Sequence, residues 1–277
     1  MKEYALGLYE KAIPSDLSWK EKLSFAKECG YDFLEISVDE TDWRLARLEA
    51  GSPERQEILE AKKEIGFPIT SMCLSGHRKY PFGSEKEEQR SLDIMVKALD
   101  LAEELGVRII QLAGYDVYYE EGTQETRARF LKNLKKAADL AAAKGIVLGF
   151  ETMETPFMDT VWKAMYYVQA VNSPWLQIYP DSGNLTNASL IYKHDVLLDL
   201  KQGAGHIAAM HLKETIPGHY REIEFFTGHV AFDAMIETAW SMGVRRYVTE
   251  MWYTGSPEWK TEIKTACTGM KAKLDRQ

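Results

Sequence analysis

Residues 126–152 read TRARFLKNLKKAADLAAAKGIVLGFET, and they contain a helical pattern and a strand pattern separated by one glycine. Apolar residues recur at three- and four-residue spacing through Thr126–Lys144, which predicts a helix. Gly145 stops that pattern, and the short apolar run Val147–Thr152 then predicts a buried strand. A helix followed at once by a buried strand is part of a βαβ unit, so this stretch indicates an α/β fold.

The same alternation continues along the whole chain. Eight short apolar or β-branched runs predict strands at Tyr4–Tyr9, Phe33–Val38, Ile69–Leu74, Ile109–Ala113, Val147–Thr152, Leu176–Pro180, Ile207–Leu212 and Tyr247–Trp252. The helical patterns between them are Trp19–Cys29, Glu54–Ile65, Gln89–Leu105, Thr126–Lys144, Thr160–Val171 and Phe232–Met242. Helix-ending glycines are predicted just past five of these patterns, at Gly30, Gly66, Gly106, Gly145 and Gly243.

The repeat length indicates how these units are arranged. Dividing 277 residues by eight strands gives about 35 residues per unit, the size of one strand, one helix and two short loops in a (β/α)₈ barrel. We therefore predict one (β/α)₈ TIM barrel that spans residues 1–277 as a single domain. A doubly wound open sheet is the alternative, but Glu10–Ser15, after the first strand, lacks the glycine-rich turn typical of that fold.

Composition and charge narrow the class of partner. The chain has 34 Lys+Arg and 42 Asp+Glu, a formal charge of −8, and that balance argues against a nucleic-acid partner. No apolar run approaches the roughly 20 residues of a bilayer span, and Met1–Pro14 lacks the features of a secretory signal. Cys29, Cys73 and Cys267 form no C-x-x-C pair, which fits reduced thiols. We predict a cytoplasmic protein with no membrane partner.

Four consecutive strands are predicted to end on residues that bind metal ions. Reactive groups of a barrel gather at the C-terminal ends of its strands, where the loops converge. Strands five to eight end on Glu151, Asp181, His211 and Glu250, spaced by about one repeat unit each. Three carboxylates and one imidazole suit one divalent ion, namely Mn²⁺, Co²⁺, Mg²⁺ or Zn²⁺, and the residues do not decide between these ions.

Two of these four residues are also candidate bases. A metal that binds a sugar carbonyl and the neighbouring hydroxyl stabilises the enediolate that forms when a proton leaves the adjacent carbon. Epimerisation requires proton removal from one face of that carbon and proton return to the other, hence two acid/base groups. Glu151 and Glu250, from strands five and eight, are predicted to flank the substrate in this way.

Five strings in the sequence closely resemble the bacterial L-ribulose-5-phosphate 3-epimerases, which are xylose-isomerase-like barrels. They are CLSGHRKYPFGS at 73–84, IQLAGYDVYY at 110–119, ETMETPFM at 151–158, YPDSGNL at 179–185 and EMW at 250–252. The resemblance implies an isomerase of L-ascorbate utilisation that interconverts L-xylulose 5-phosphate and L-ribulose 5-phosphate. It also implies that Glu151, Asp181, His211 and Glu250 hold one divalent metal, that Glu151 and Glu250 exchange the proton at carbon 3, and that the protein is a homodimer.

The substrate is predicted to be a small ketose phosphate, whose phosphate group requires cationic partners. Barrel enzymes often hold phosphate in their late loops. We predict His77, Lys213 and Arg221 as the substrate-binding set, with His77 taken from the HRKYPFGS string. One segment departs from the family, because Phe225-Phe226-Thr227-Gly228-His229 stands where Phe-Gly-Glu-Gly is usual. The extra ring is expected to shield the substrate from the backbone or to narrow the pocket.

Three other functions compete with this hypothesis. An epimerase or isomerase of another ketose, either a hexulose phosphate or an unphosphorylated sugar, needs the same metal site. A DNA-repair endonuclease shares the barrel superfamily, but it requires more histidine ligands and a basic surface than a chain with six histidines and a charge of −8 provides. A non-catalytic sugar-binding protein does not require two carboxylates on one ion.

Overall fold

Eight parallel strands form one sheet in a computed structural model that describes residues 3–277. Met1 and Lys2, which belong to the predicted domain, lie outside the described residues. The strands are β1 Ala5–Tyr9, β2 Phe33–Ser37, β3 Ile69–Leu74, β4 Ile109–Leu112, β5 Val147–Glu151, β6 Leu176–Tyr179, β7 Met210–Leu212 and β8 Arg246–Thr249. Each overlaps one predicted strand.

The order of the strands is that of a barrel. Sequential strands are neighbours from β1 to β6, β8 pairs with both β1 and β7, and all these pairings are parallel. Single parallel bridges, Ile178 to Ile207 and Asp181 to His211, join β6 to β7 and nearly close the ring. This confirms the predicted (β/α)₈ barrel. The seventh strand is shorter than predicted because the chain bends at Ala208, between the Ile207 bridge and β7.

Ten α-helices in the described residues surround the sheet. They are α1 Trp19–Glu28, α2 Asp42–Ala46, α3 Pro53–Ile65, α4 Glu88–Leu105, α5 Gln124–Lys144, α6 Val161–Val171, α7 Ser182–Tyr192, α8 Val196–Lys201, α9 Phe232–Ser241 and α10 Trp259–Leu274. Gly66, Gly106 and Gly145 cap α3, α4 and α5 in the left-handed conformation, as predicted. Gly30 and Gly243 also have positive φ, but each follows the capping residue instead of being it.

The alternation of side chains along each strand produces the functional end of the barrel. Residues two apart face the same side of a sheet, so β8 and its extension place Arg246, Val248 and Glu250 on the inner side, one above the other. The Arg246 guanidinium lies over the Phe33 ring at 5.2 Å, and Val248 and Phe33 belong to one buried apolar cluster. The interior is therefore filled near the middle, and the polar residues that follow are left at the C-terminal end.

Among residues 3–277, no helix is both long enough and apolar enough to span a bilayer.

Candidate active site

Glu151, Asp181, His211 and Glu250 meet at the C-terminal end of the barrel. Glu151 is the last residue of β5 and His211 is the middle residue of β7, while Asp181 and Glu250 directly follow β6 and β8. All four side chains are buried, and each offers one ligand atom such that these atoms lie within 4.8 Å of one another. The structure thus brings together the four residues that the strand ends predicted.

His211 is held between acids on both of its ring nitrogens. Its Nδ1 lies 3.4 Å from Oε1 of Glu151 and 3.4 Å from Oε2 of Glu250. Its Nε2 lies 2.6 Å from Oε1 of Glu35, and the Tyr179 hydroxyl donates to Oε2 of Glu35 at 2.8 Å. Glu35 thereby fixes the ring with Nδ1 toward the two glutamates.

Sequence reasoning missed Glu35. The residue is the middle one of β2, two positions before the strand ends, and its side chain is completely buried. The available signal was a carboxylate in the apolar strand FLEIS at 33–37, at an inward position shared with Phe33 and Ser37.

Lys213 lies in the same cluster. Its ammonium lies 3.1 Å from Oδ1 of Asp181, 3.4 Å from Oε2 of Glu250 and 2.7 Å from Oδ1 of Asn184. Burial opposes its positive charge, but Asp181, Glu250 and Glu151 outweigh burial and raise the pKa of Lys213. The ammonium is therefore a fixed positive charge beside the acids.

At two of the three carboxylates, burial and mutual repulsion outweigh the neighbouring cations, and at the third the cations prevail. Burial, and then repulsion from Glu250, raise the pKa of Glu151. Burial raises the pKa of Asp181 to about 8, against the opposing effect of Lys213. Burial also disfavours ionised Glu250, but Lys213 and His211 prevail and lower the pKa of that carboxyl.

The donor set fits a divalent cation. Oδ2 of Asp181 and Oε2 of Glu250 are buried without a hydrogen bond, although Oε2 has the two 3.4 Å ion-pair contacts described above. A hard or borderline metal ion binds to oxygen atoms with free lone pairs and to an imidazole nitrogen, and crowded negative charge favours its binding. Gln111 donates to the other oxygen of Glu151, and this bond orients the carboxylate.

Helix α7 fixes Asp181 at the edge of the cluster. Oδ1 of Asp181 accepts the backbone N–H of Asn184 at 2.6 Å, so the same carboxylate caps α7. The backbone N–H of Asp181 donates to the Thr152 hydroxyl at 3.0 Å, and the Asn184 amide donates to the Thr152 carbonyl at 2.7 Å. These bonds connect the residues after β5 to those after β6.

The mouth above the cluster carries aromatic and cationic side chains. Its lining includes Arg78, Glu154, Arg221 and Trp252, and the free space is small, about 40 Å³. The Trp252 ring lies 5.8 Å from Nζ of Lys213 and 5.7 Å from the Arg221 guanidinium, so it forms one wall.

The structure brings Lys213 and Arg221 to the mouth, but His77 lies elsewhere. Nε2 of His77 lies 3.0 Å from the Ser91 carbonyl oxygen, and the ring packs against Phe82 at 4.3 Å. Burial lowers the pKa of His77 to about 4. Residues Ser75–Arg78 form a 3₁₀ turn, in which consecutive side chains point in different directions, and it is Arg78 that lines the mouth.

Phe226 points away from the substrate mouth. It has a left-handed backbone with φ +72°, and a Cβ built on Gly269 of α10 would lie 2.3 Å from its ring. Lys273, also of α10, lies 5.6 Å from the ring. Glu214 accepts the backbone N–H groups of Phe226 and Val230, each at 3.1 Å, and anchors this loop. The ring therefore fills a groove on α10, and the expectation that it narrows the pocket is wrong.

Comparison with known proteins gives the family. The profile of the xylose isomerase-like TIM barrel family matches residues 23–273. Curated L-ribulose-5-phosphate 3-epimerases UlaE from Salmonella heidelberg and Shigella flexneri are each 42% identical over 276 residues, which cover 99% of this chain and 96% of the relative. The chain belongs to the L-ribulose-5-phosphate 3-epimerase family of xylose isomerase-like TIM barrels. Like its relatives in this epimerase family, it is an enzyme of the isomerase class.

Solved structures of other epimerases share the fold of this family member. A D-allulose 3-epimerase from Methylomonas has a TM-score of 0.79 at 17% identity, with 99% of each chain covered. An L-ribulose 3-epimerase has a TM-score of 0.79 at 18% identity, covering 99% of this chain and 95% of the other. At this identity the likeness concerns the barrel alone.

Proposed function

We propose that this protein is a metal-dependent epimerase that interconverts L-xylulose 5-phosphate and L-ribulose 5-phosphate by two-base proton transfer at carbon 3. The buried cluster of Glu151, Asp181, His211 and Glu250 carries the proposal. Membership of the L-ribulose-5-phosphate 3-epimerase family supports the choice of substrate.

The four residues of the cluster would hold one divalent ion, Mn²⁺, Co²⁺, Zn²⁺ or Mg²⁺. A bound ion of this kind supplies a Lewis acid that polarises the carbonyl oxygen of the ketose. Glu35 and Tyr179 hold the His211 ring so that Nδ1 is the ligand atom, as hydrogen-bonded partners of metal-binding histidines do. Gln111 fixes one oxygen of Glu151 and leaves the other turned toward His211.

Glu151 and Glu250 are the two proposed proton-transfer groups. Glu151 ends β5 and Glu250 directly follows β8, and each has one carboxylate oxygen 3.4 Å from Nδ1 of His211. A substrate carbon placed between these carboxylates has one on each face, which is the arrangement that inversion at carbon 3 requires. One glutamate removes the proton and the other returns a proton to the opposite face.

Lys213 and Arg221 are proposed to bind the substrate, with Arg78 in place of His77. Lys213, fixed by Asn184 and Asp181, is suited to donate to a sugar oxygen close to the metal. Farther from the metal ligands, Tyr115 and Glu154 connect the two arginines. The Tyr115 hydroxyl contacts Nη2 of Arg78 at 3.5 Å and donates to Glu154 at 2.6 Å. Glu154 in turn contacts Arg221 at 3.4 Å. Nε of Arg78 has no hydrogen-bond partner among the described residues. Two guanidinium groups with free donors suit a phosphate.

The test is proton exchange in heavy water with purified, metal-loaded protein. NMR should show deuterium at carbon 3 together with conversion of L-xylulose 5-phosphate to L-ribulose 5-phosphate. Glu151→Gln and Glu250→Gln should each reduce turnover by roughly 10²–10⁴-fold, the usual contribution of a general acid or base. Absence of exchange with all four metals would contradict the proposal for pentulose phosphates. The next substrates to test would then be hexulose phosphates and unphosphorylated L-ribulose.

A second set of variants tests the proposed phosphate contacts. Arg78→Met and Arg221→Met should raise the KM for the phosphorylated ketose by about 10–100-fold, because hydrogen bonds to charged groups contribute roughly 1.5–3 kcal/mol. Lys79→Met is the matched control, since Lys79 is exposed and lies next to Arg78 outside the mouth lining. Equal rates on L-ribulose and its phosphate would favour an unphosphorylated substrate. The cytoplasmic location, the homodimer and the single domain remain predictions.

A further inference from the structure

A second cavity, which we call the side cavity, also reaches Glu250. It has a volume of about 110 Å³ and lies between the loop after β7 and the loop that leads from β8 into α10. Lys213, Glu250 and Trp252 line both the side cavity and the mouth, so they form the partition between the two spaces. Glu151 lines the mouth but not the side cavity. Of the two proposed proton-transfer groups, Glu250 therefore has a second route to solvent.

Acidic residues line the side cavity from the buried cluster to the surface. Glu250 is 5% exposed, and its Oε2 has no hydrogen bond. Glu222 and Glu224 line the same cavity but are exposed, so they are in contact with bulk water. Glu262 of α10 is half-buried and accepts the Ser256 hydroxyl at 2.6 Å. The lining thus places carboxylates at both the buried and the exposed parts of one space.

Water is the occupant that the side cavity fits. A buried water molecule requires roughly 10–15 Å³ of such volume and two to four polar partners, so this space has room for several. The phosphate of the proposed substrate is disfavoured there, because the carboxylates of the lining repel a second negative charge. The side cavity therefore remains available to water while the substrate occupies the mouth.

Two-base epimerisation requires that both glutamates exchange protons with water. In one turnover, the first glutamate takes the proton from carbon 3, and the second gives its own proton to the opposite face. The two groups end the turnover with exchanged protonation states. Before the next turnover in the same direction, the first must release a proton to water and the second must regain one. The proton balance of the cycle is zero, but neither group is ready until this exchange is complete.

Proton uptake is the slow half of this exchange at neutral pH. A carboxyl group with the ordinary glutamate pKa of about 4.3 releases its proton at pH 7 roughly 500 times faster than it regains one. Hydronium at about 10⁻⁷ M, with a diffusion limit of about 10¹⁰ M⁻¹s⁻¹, reaches a fully exposed carboxylate on the order of 10³ times per second. That rate is within the range of typical kcat values, roughly 1–10³ s⁻¹, and burial of Glu250 lowers it further. A buried glutamate that must regain a proton therefore benefits from carboxylates that collect protons at the surface.

We propose that the side cavity is the route by which Glu250 regains protons from bulk water during turnover, with Glu222, Glu224 and Glu262 as relay groups. The inference rests on the two-base epimerase proposed above. At low substrate concentration the mouth is empty between turnovers, and Glu250 exchanges protons through it. At saturating concentration the substrate refills the mouth, and the side cavity alone restores Glu250.

Steady-state kinetics of the metal-loaded enzyme, measured in both directions, test the inference. Thr265→Phe fills the side cavity from α10, and the double variant Glu222→Gln/Glu224→Gln removes the exposed relay groups. In the direction in which Glu250 donates to carbon 3, each should lower kcat by roughly 10-fold, a part of the 10²–10⁴-fold contribution of a complete acid/base group. Each should leave kcat/KM within about 2-fold of wild type, because kcat/KM is set at low substrate concentration.

Two matched variants serve as controls. Thr268→Phe adds the same ring to α10, and Glu258→Gln removes one exposed acid just before that helix, both outside the lining of the side cavity. Both should leave kcat and kcat/KM unchanged. The solvent isotope effect on kcat should rise in the two cavity variants and not in these controls, because proton uptake then limits turnover.

Two results would overturn the inference while the proposed function stands. A wild-type kcat in both cavity variants would mean that Glu250 exchanges protons through the mouth at every substrate concentration. A parallel fall of kcat and kcat/KM in both would mean that the substitutions disturb the chemical step and not proton exchange. A wild type that does not epimerise the pentulose phosphates would contradict the proposed function, and this inference with it, before any variant is compared.

Discussion

The barrel contains two buried charge clusters that are built in opposite ways, although both are located at the C-terminal ends of strands. In the Glu10 cluster, just after β1, Oε2 of Glu10 pairs with Arg47 at 2.7 Å and Oε1 with Arg44 at 2.9 Å. Arg47 also contacts Glu54 at 2.5 Å, and the sign of charge alternates throughout. In the Glu151 cluster, three carboxylates converge on one histidine and one lysine.

The difference appears in the protonation of the acids. Burial disfavours ionised Glu10, but Arg47 and Arg44 outweigh burial and lower its pKa to about 2. Burial raises the pKa of Asp181 to about 8, and repulsion from Glu250 and Glu151 adds to burial against the opposing effects of Lys213 and His211. A cluster that satisfies its own charges serves the fold, whereas a cluster that does not is suited to bind a cation.

Arg47→Met should break the structural cluster and have the largest effect on stability. Removing one partner of a buried ion pair leaves an uncompensated charge, so we expect a loss of about 3–5 kcal/mol in the free energy of unfolding. Urea denaturation measures it. Lys20→Met is the control, because Lys20 and Glu64 form an exposed pair that contributes under about 1 kcal/mol. Equal losses in both variants would mean that the Glu10 cluster is no more than a surface network.

Acid should titrate the same cluster. Glu10 has a folded-state pKa of about 2 against an ordinary value of 4.5, so the folded protein binds the proton less readily than the unfolded chain. This contribution to stability, of the order of 3 kcal/mol, is present above pH 4.5 and lost as the pH falls toward 2. Urea denaturation between pH 5 and pH 2.5 should show a shallower pH dependence in Glu10→Gln than in wild type. Identical slopes would contradict the assignment.

The two clusters also show what the sequence could and could not predict. Strand periodicity and the convergence of strand ends are enough to predict that Glu151, Asp181, His211 and Glu250 lie together. The partner of His211, Glu35, is 176 residues away in sequence, and only the closed barrel brings it across. No local pattern records such a contact.

The direction in which a side chain points within a short turn could not be predicted from the sequence either. The HRK string placed a cation at the mouth, but the 3₁₀ turn at 75–78 selects Arg78 and buries His77. Because its segment follows β7, the Phe226 ring is predicted to shield the substrate from the backbone or to narrow the pocket, yet the space that accepts the ring is created by Gly269 on α10. The positions of the loops can be predicted from the sequence, whereas packing decides which of their side chains enter the site.

Glu35→Gln sharpens the comparison, because it changes the Glu151 cluster without removing a proposed ligand. An amide can keep one bond to His211 or Tyr179 but loses the negative charge beside Nε2, so the imidazole becomes a weaker and less oriented ligand. Outer partners of this kind typically contribute 10–100-fold to metal affinity, about 1.4–2.7 kcal/mol. Chelator competition with Mn²⁺ and Co²⁺ measures the change. Glu40→Gln is the matched control, since Glu40 follows β2 and bonds only to Tyr119 among its described side-chain hydrogen bonds.

A second readout separates positioning from simple damage to the fold. In the Zn²⁺-loaded wild type, the 2.6 Å contact between Nε2 and Glu35 should keep the ring proton on Nε2 and leave Nδ1 for the metal, and ¹⁵N NMR should report that tautomer of His211. In Glu35→Gln the tautomer populations should mix while the free energy of unfolding of the metal-free protein changes by less than in Arg47→Met. An unchanged metal affinity with an unchanged tautomer would mean that the backbone of β7 alone orients the ring. The contrast between the clusters would then rest on the four converging residues and not on the partners behind them.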